Sequence, residues 1–342
     1  MVRREGFGLP AYLAFAAATV FTLLVCVSLG SVKLPLRETF GLLWNALAGR
    51  GTGTGMSATI VFSVLPHVLC VALTGASLSV CGAAMQGLLK NPLADGSTLG
   101  VSSGASLGAV ISIAFGITLP GIPLAGTMSM AMLFAFLSLV VILGLAYRLD
   151  GSLSTGTIIL IGVIYSMFVS SVLSLVITFA PDKVQSITFW TMGSLAGRGY
   201  VHVLVLLGAL VVFGGVLFGC ARELNAFAVG EDNARHIGVN VRRVKLTVMI
   251  AVSALIGVCV SVGGTIGFVG LVTPHMVRLI TGPNHRRLLP ASAFGGAIFL
   301  MLCDLLARTL FDPRELPVGV VTSFIGSILF VVIFIRTRRG EK

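Results

Sequence analysis

From Gly96 to Tyr147 the chain runs 52 residues without one Asp, Glu, Lys or Arg. Gly51–Leu89 is a second charge-free run, and Leu246–Val277, 32 residues, is a third. A soluble fold needs polar side chains on its outward-facing turns, and about a quarter of its residues are charged. Here charged residues are 10% of 342 and hydrophobic residues 56%. The same figures exclude a disordered chain, which needs low hydrophobicity. What remains is an all-α, polytopic membrane protein.

A helix crossing about 30 Å of hydrocarbon needs roughly 20 residues. That ruler predicts ten spans. The first is Pro10–Gly30; the uncharged stretch around it, Gly6–Val32, is too long for a signal-peptide core, so a retained helix is expected. The second is a long helix ending near Leu88. Gly96–Tyr147 divides at Leu119-Pro120-Gly121-Ile122-Pro123 into spans three and four. Span five fills Ser152–Phe179, and a short amphipathic piece, Val184–Ala196, leads into span six at Gly199–Ala221. Gly263, Gly264, Gly267 and Gly270 break Leu246–Val277 into spans seven and eight, and Leu288–Leu310 and Leu316–Ile335 complete the set. One membrane domain over residues 1–342 is expected.

The net charge is +11, but its residues lie in short gaps between apolar runs, which argues against nucleic-acid binding and for a topological role. With the N-terminus inside, the loops Arg3–Arg4, Lys90, Arg148, 222–245, 278–287 and the C-terminal tail hold 16 of the 23 Lys and Arg. That asymmetry predicts N-in, C-in. The six cysteines all lie in apolar stretches without a C-x-x-C pair and read as small buried hydrophobes. Gly82 and Pro92 match Gly264 and Pro274, with Leu89 matching Leu271, at an offset of 182 that spans five helices, as an inverted repeat would.

Two loops are rich in polar residues. Gln86–Asp95 is the turn between spans two and three; Asn91-Pro92 breaks the helix, and Asp95 or Ser97 is positioned to cap the next one. Residues 222–245 form the longest inner loop. Leu224–Val229 and Asn233–Ile237 are expected as short helices ended by Gly230 and Gly238. A mere connection needs roughly 2–8 residues; this length suits docking of a soluble partner. Within the spans, Asp304 and Arg308 stand i,i+4 and can neutralise each other. His67, His202 and His275 have no metal-ligand spacing on one helix. There is no G-x-x-x-x-G-K-[ST] loop and no nucleophile motif, so no cofactor site and no catalytic residues are expected on this chain.

Three long stretches carry a resemblance. They are Gly82-Ala83-Ala84-Met85-Gln86-Gly87-Leu88-Leu89-Lys90-Asn91-Pro92-Leu93-Ala94-Asp95, followed by Leu99–Ala105; Gly267-Phe268-Val269-Gly270-Leu271-Val272-Thr273-Pro274-His275-Met276-Val277-Arg278, followed by His285-Arg286-Arg287; and Asp304-Leu305-Leu306-Ala307-Arg308, followed by Glu315–Thr322. In this order, from about Val61 to Ile335, they closely resemble the FecCD family of ABC importer permeases. The resemblance implies a type II importer fold working as a permease homodimer, or paired with a related permease. It implies two cytoplasmic ATPase subunits that bind ATP and Mg, an extracytoplasmic binding protein, and import of a ferric siderophore, haem or cobalamin across a bacterial or archaeal cell membrane. It also assigns coupling to Gly230, Glu231, Ala234, Arg235 and Gly238, and a cytoplasmic gate to Asn91, Leu93, Ser154 and Thr155. Docking of the binding protein falls to His67, Arg308 and Arg314. The family often has Arg-Leu-Pro-Arg where this chain has Val64-Leu65-Pro66-His67, which shifts docking toward Arg308, Arg314 or Lys183. An ion-gradient-driven secondary transporter is the alternative; Asp304 is its one candidate intramembrane carboxylate, and an arginine stands beside it.

Overall fold

A computed structural model describes residues 8–30, 34–51, 55–118, 125–151 and 154–340. The helices, in order, are α1 (Leu9–Ser28), α2 (Leu36–Leu47), α3 (Met56–Leu89), α4 (Val101–Ala114), α5 (Ala125–Leu149), α6 (Thr155–Thr178) and α7 (Val184–Thr191). Next, α8 (Tyr200–Ala209) runs through one π-helical turn (Leu210–Gly214) into α9 (Gly215–Gly219). Then come α10 (Ala221–Val229), α11 (Glu231–His236), α12 (Val241–Gly263), α13 (Val269–Thr281), α14 (His285–Thr309) and α15 (Val318–Gly340).

Seven of these units are long and apolar enough to cross a membrane: α1, α3, α5, α6, Tyr200–Gly219, α12 and α14. The other three expected spans are present as α4, α13 and α15. Two of them are short, 14 residues in α4 and 13 in α13, or about 20 Å of rise each. Both begin where the backbone takes a left-handed turn, at Gly100 (φ 72°) and Phe268 (φ 66°), so part of the chain's crossing is irregular backbone enclosed by neighbouring helices. The Leu119–Pro123 break lies outside the described residues apart from its surroundings: α4 ends before it and α5 starts after it.

Burial separates the centre from the rim. Most of α12 is buried inside the subunit, whereas most of α6 lies exposed on its outside, so α12 is central and α6 is at the rim. The second half of α3 is enclosed on all sides, from Thr74 to Leu89 with few gaps. Glycine makes this possible. A Cβ on Gly75 would overlap the backbone of Gly296 in α14, and one on Gly82 would overlap the carbonyl of Gly270 in α13. Gly104 and Gly108 make the same close approach to α5, against Ser138 and the Met130 carbonyl. Lipid tails give helices no hydrophobic reason to associate, so contact area gained through small residues holds such bundles together.

Three expectations change. The helix expected after Asn91-Pro92 starts later, at Val101, with Gly100 at its N-cap position and a 3-10 turn (Gly96–Leu99) ahead of it. The matched positions of the suggested repeat sit in unlike places. Gly82 is mid-helix while Gly264 caps α12, and Pro92 is in a turn while Pro274 is inside α13. Finally, α2 fills a loop to which no helix was assigned.

Candidate functional site

The polar side chains gather at the two ends of the bundle. At one end lies the segment 222–245, folded as the two short helices expected of it. Gly230 ends α10 and starts α11 at φ 133°, and Gly238 follows α11 at φ 88°; both angles suit glycine. The inward face of the segment is firmly seated, with Leu224, Phe227 and Ala234 fully buried. Its outward face carries Val229 and Ile237, 72% and 71% exposed, among exposed Asp232, Asn233 and Arg235.

Glu231 connects this segment to two spanning helices. Lys245 of α12, with no exposed side-chain surface, donates from Nζ to both carboxylate oxygens, at 2.7 and 2.8 Å. Thr155, first residue of α6, donates from Oγ1 to Oε1 at 3.4 Å. Asn225 forms the second fastening: its Oδ1 accepts from the backbone N and Nδ1 of His285 at 2.8 and 2.9 Å, and its Nδ2 donates to Asn284 Oδ1 at 2.9 Å. Asn284 also caps α14 through Arg286 N. Deeper, Gln86 of α3 donates to the carbonyls of Gly270 and Leu271 and accepts from Arg278 Nη2 at 3.1 Å. The first fastening ties the segment to α12 and α6 and the second ties it to α14, while Gln86 bridges α3 to α13.

Of the expected gate residues, Thr155 therefore meets the segment 222–245 directly, at Glu231. Ser154 caps α6 by accepting from Thr157 N, and its own N donates to Asp150 Oδ2 at 3.0 Å. Asn91 Oδ1 accepts from Leu93 N at 2.9 Å, which holds Leu93 half-exposed at the mouth of a cavity of about 480 Å³. Leu93, Asp95, Ser102, Ser106, Ile256 and Thr265 contribute to its wall, which is mostly apolar with a few hydroxyls and one carboxylate.

The opposite end holds a second cluster. His67 Nε2 lies 3.0 Å from both oxygens of Asp304, and its Nδ1 lies 3.0 Å from the Leu195 carbonyl. Arg308 Nε donates to Asp304 Oδ2 at 2.9 Å, and its Nη2 donates to the Cys26 carbonyl. Asp304 is thus held by two partners, which leaves the alternative of a gradient-driven carrier without a disengaged carboxylate there. A pocket of about 190 Å³ opens beside this network, lined by His67, Arg308, Arg198 and Glu315 among others. Arg198 is 8% exposed, with its Nε buried and unpartnered. Burial draws its pKa below the ordinary arginine value. Arg314 lies exposed on the turn before α15, outside this network.

Sequence reading did not single out Arg198, Lys245, Asn225 or Asn284. The available signal was slight: Arg198 stands between two glycines after an amphipathic piece, and Lys245 is the last charge before a 32-residue apolar run.

The model of the FecCD transport family matches residues 18–336. The ABC transporter permease protein YvrB of Bacillus subtilis (strain 168) is 41% identical over 335 residues, 97% of this chain and 95% of YvrB. The cobalamin import system permease protein BtuC of Halobacterium salinarum is 37% identical over 298 residues, 85% of this chain and 79% of BtuC. The hemin transport system permease protein HmuU of Yersinia pestis is 37% identical over 322 residues, 92% and 94% of the two chains. A solved metal-chelate type ABC transporter in an inward-facing conformation superposes with a TM-score of 0.84 at 28% identity, covering 96% of this chain and 99% of the other.

Proposed function

This chain belongs to the FecCD transport family, and from that premise we propose that it imports an iron complex (a ferric siderophore or haem) or cobalamin as one half of an ABC importer's membrane pathway. It pairs with a second copy or with a related permease. Two ATPase subunits dock on the segment 222–245 in the cytoplasm of a bacterial or archaeal cell; ATP and Mg are bound there and not by this chain. A binding protein delivers the ligand at the opposite end.

The observation that carries this reading is the two-sided build of residues 222–245. Buried Leu224, Phe227 and Ala234 root the segment, while Val229 and Ile237 face outward uncovered. Motion imposed on α11 by a partner reaches α12 and α6 through Glu231, and motion of α10 reaches α14 through Asn225. Gly230 and Gly238 bracket α11 and let it tilt as a unit. At the other end, Arg198 and Arg308 offer guanidinium groups to an acidic side chain of the binding protein, with His67 and Asp304 holding Arg308 in place and exposed Arg314 at the rim.

The test uses the full complex in nanodiscs with the ATPase subunits and the loaded binding protein. Ile237→Asp changes an exposed residue and leaves the buried face intact. It is expected to abolish ligand-stimulated ATP hydrolysis and uptake while the variant still purifies as a monodisperse membrane protein. Unaltered stimulation and uptake, or nucleotide hydrolysis by the chain alone, would overturn the reading.

A further inference from the structure

Helix α2 joins the ends of α1 and α3 at the end of the bundle away from the coupling segment, and it has two faces. Thr39 is buried, and Leu42 and Leu43 pack against the core. On the other side Leu36, Phe40, Trp44 and Leu47 are 47%, 52%, 57% and 84% exposed. Their spacing, i, i+4, i+8 and i+11, places them in one stripe along the helix. The rings of Phe40 and Trp44 stack, 6.2 Å between centroids and 17° apart. Within the subunit this stripe is uncovered, and four large apolar residues in a row are not left in water without reason.

The location says what covers it. Leu34 N donates to the Ser28 carbonyl, so α2 starts within a few residues of the last turn of α1. That helix has 20 residues, or about 30 Å, the thickness of the hydrocarbon layer. The other end of α2 is tied to the start of α3, another spanning helix. The stripe therefore sits at the depth where acyl chains give way to headgroups, in line with exposed Leu29 at the end of α1 and Met56 at the start of α3. Tryptophan and its aromatic neighbours favour that depth, because the ring is apolar and the indole N–H seeks a polar partner. Exposed Arg37 and Arg50 flank the stripe and suit phosphate headgroups.

We propose that α2 is an interfacial helix, lying along the membrane surface with Leu36, Phe40, Trp44 and Leu47 sunk into the lipid and fixing the depth of the end at which ligand arrives. The occupant is lipid, not a second protein chain. The chain has two tryptophans, Trp44 and Trp190, so depth can be measured directly. A Trp190→Phe variant is placed in nanodiscs of phosphatidylcholine brominated at a shallow or a deep acyl position. Should that variant fold poorly, the difference between the unaltered chain and Trp44→Phe gives the same signal. The expected result is blue-shifted Trp44 emission, strongly quenched by shallow bromines, weakly by deep ones and little by aqueous iodide. Strong iodide quenching without bromine quenching would place the stripe in water. Protection from both quenchers would place it against another protein. Either outcome overturns the proposal, and neither bears on whether the chain is an importer subunit.

Discussion

A lysine without exposed surface is costly unless its charge is matched, and Lys245 is matched by Glu231 at 2.7 Å. This changes how Glu231 is to be tested. From sequence it reads as a surface residue of a docking loop, so that Glu231→Arg would spare folding. In the structure that substitution sets a second cation beside a buried one. Glu231→Gln is expected to destabilise the folded subunit by about 3 kcal/mol, the lower end for a broken buried pair, because the carboxylate is partly exposed. The double variant Glu231→Gln, Lys245→Met is expected to recover most of that loss. Thermal unfolding in detergent reads both. Recovered stability without recovered ligand-stimulated ATP hydrolysis would separate the pair's part in coupling from its part in folding.

At the scale of helices, close crossings decide stability. Gly82 has the Gly270 carbonyl where a Cβ would stand, and neither partner is a flexible side chain that can swing aside. Gly82→Val is therefore expected to push α3 and α13 apart at a cost of about 1–3 kcal/mol or more, seen as aggregation on fluorescence-detected size exclusion. Gly144→Val in α5 is the control, since its Cβ would meet open space on an exposed face, and it is expected to elute as the unaltered protein does. The glycines were visible in the sequence as breaks and as motif positions. Their work as crossing points was not, because a crossing is a relation between α3 and helices that lie far along the chain, at Gly270 for Gly82 and at Gly296 for Gly75.

For the molecule as a whole, the two polar ends are built from separate residues, and their failures are expected to be separable. Arg198→Ala removes a buried cation from the pocket of about 190 Å³ at the end opposite residues 222–245. It is expected to weaken binding-protein docking by about 2 kcal/mol, or roughly thirtyfold in Kd, as measured by surface-based titration on nanodiscs. Co-purification of the ATPase subunits is expected to be unchanged. Ile237→Asp is expected to do the reverse, leaving docking intact and uncoupling hydrolysis. Equal effects of both variants at both ends would mean that each perturbs the bundle at large.

The sequence by itself determined the solvent, the order of the spanning helices and the segments that end in water, because hydropathy and charge act residue by residue and a 20-residue apolar run has few alternatives in lipid. It also contained the two short helices around Gly230, since glycine's left-handed angles are local. Only the tertiary structure decided that α4 and α13 are short and entered through irregular backbone. It alone paired Glu231 with Lys245 and Thr155, seated Asn225 on α14, and left the Nε of Arg198 unpartnered beside the pocket that Arg308 also lines. Those are meetings between distant parts of the chain, and their energy depends on burial and direction, which no one-dimensional pattern records. The amphipathic α2 lies between the two cases: its stripe is written in the sequence, but which side of it stays uncovered is settled by what α1 and α3 leave open.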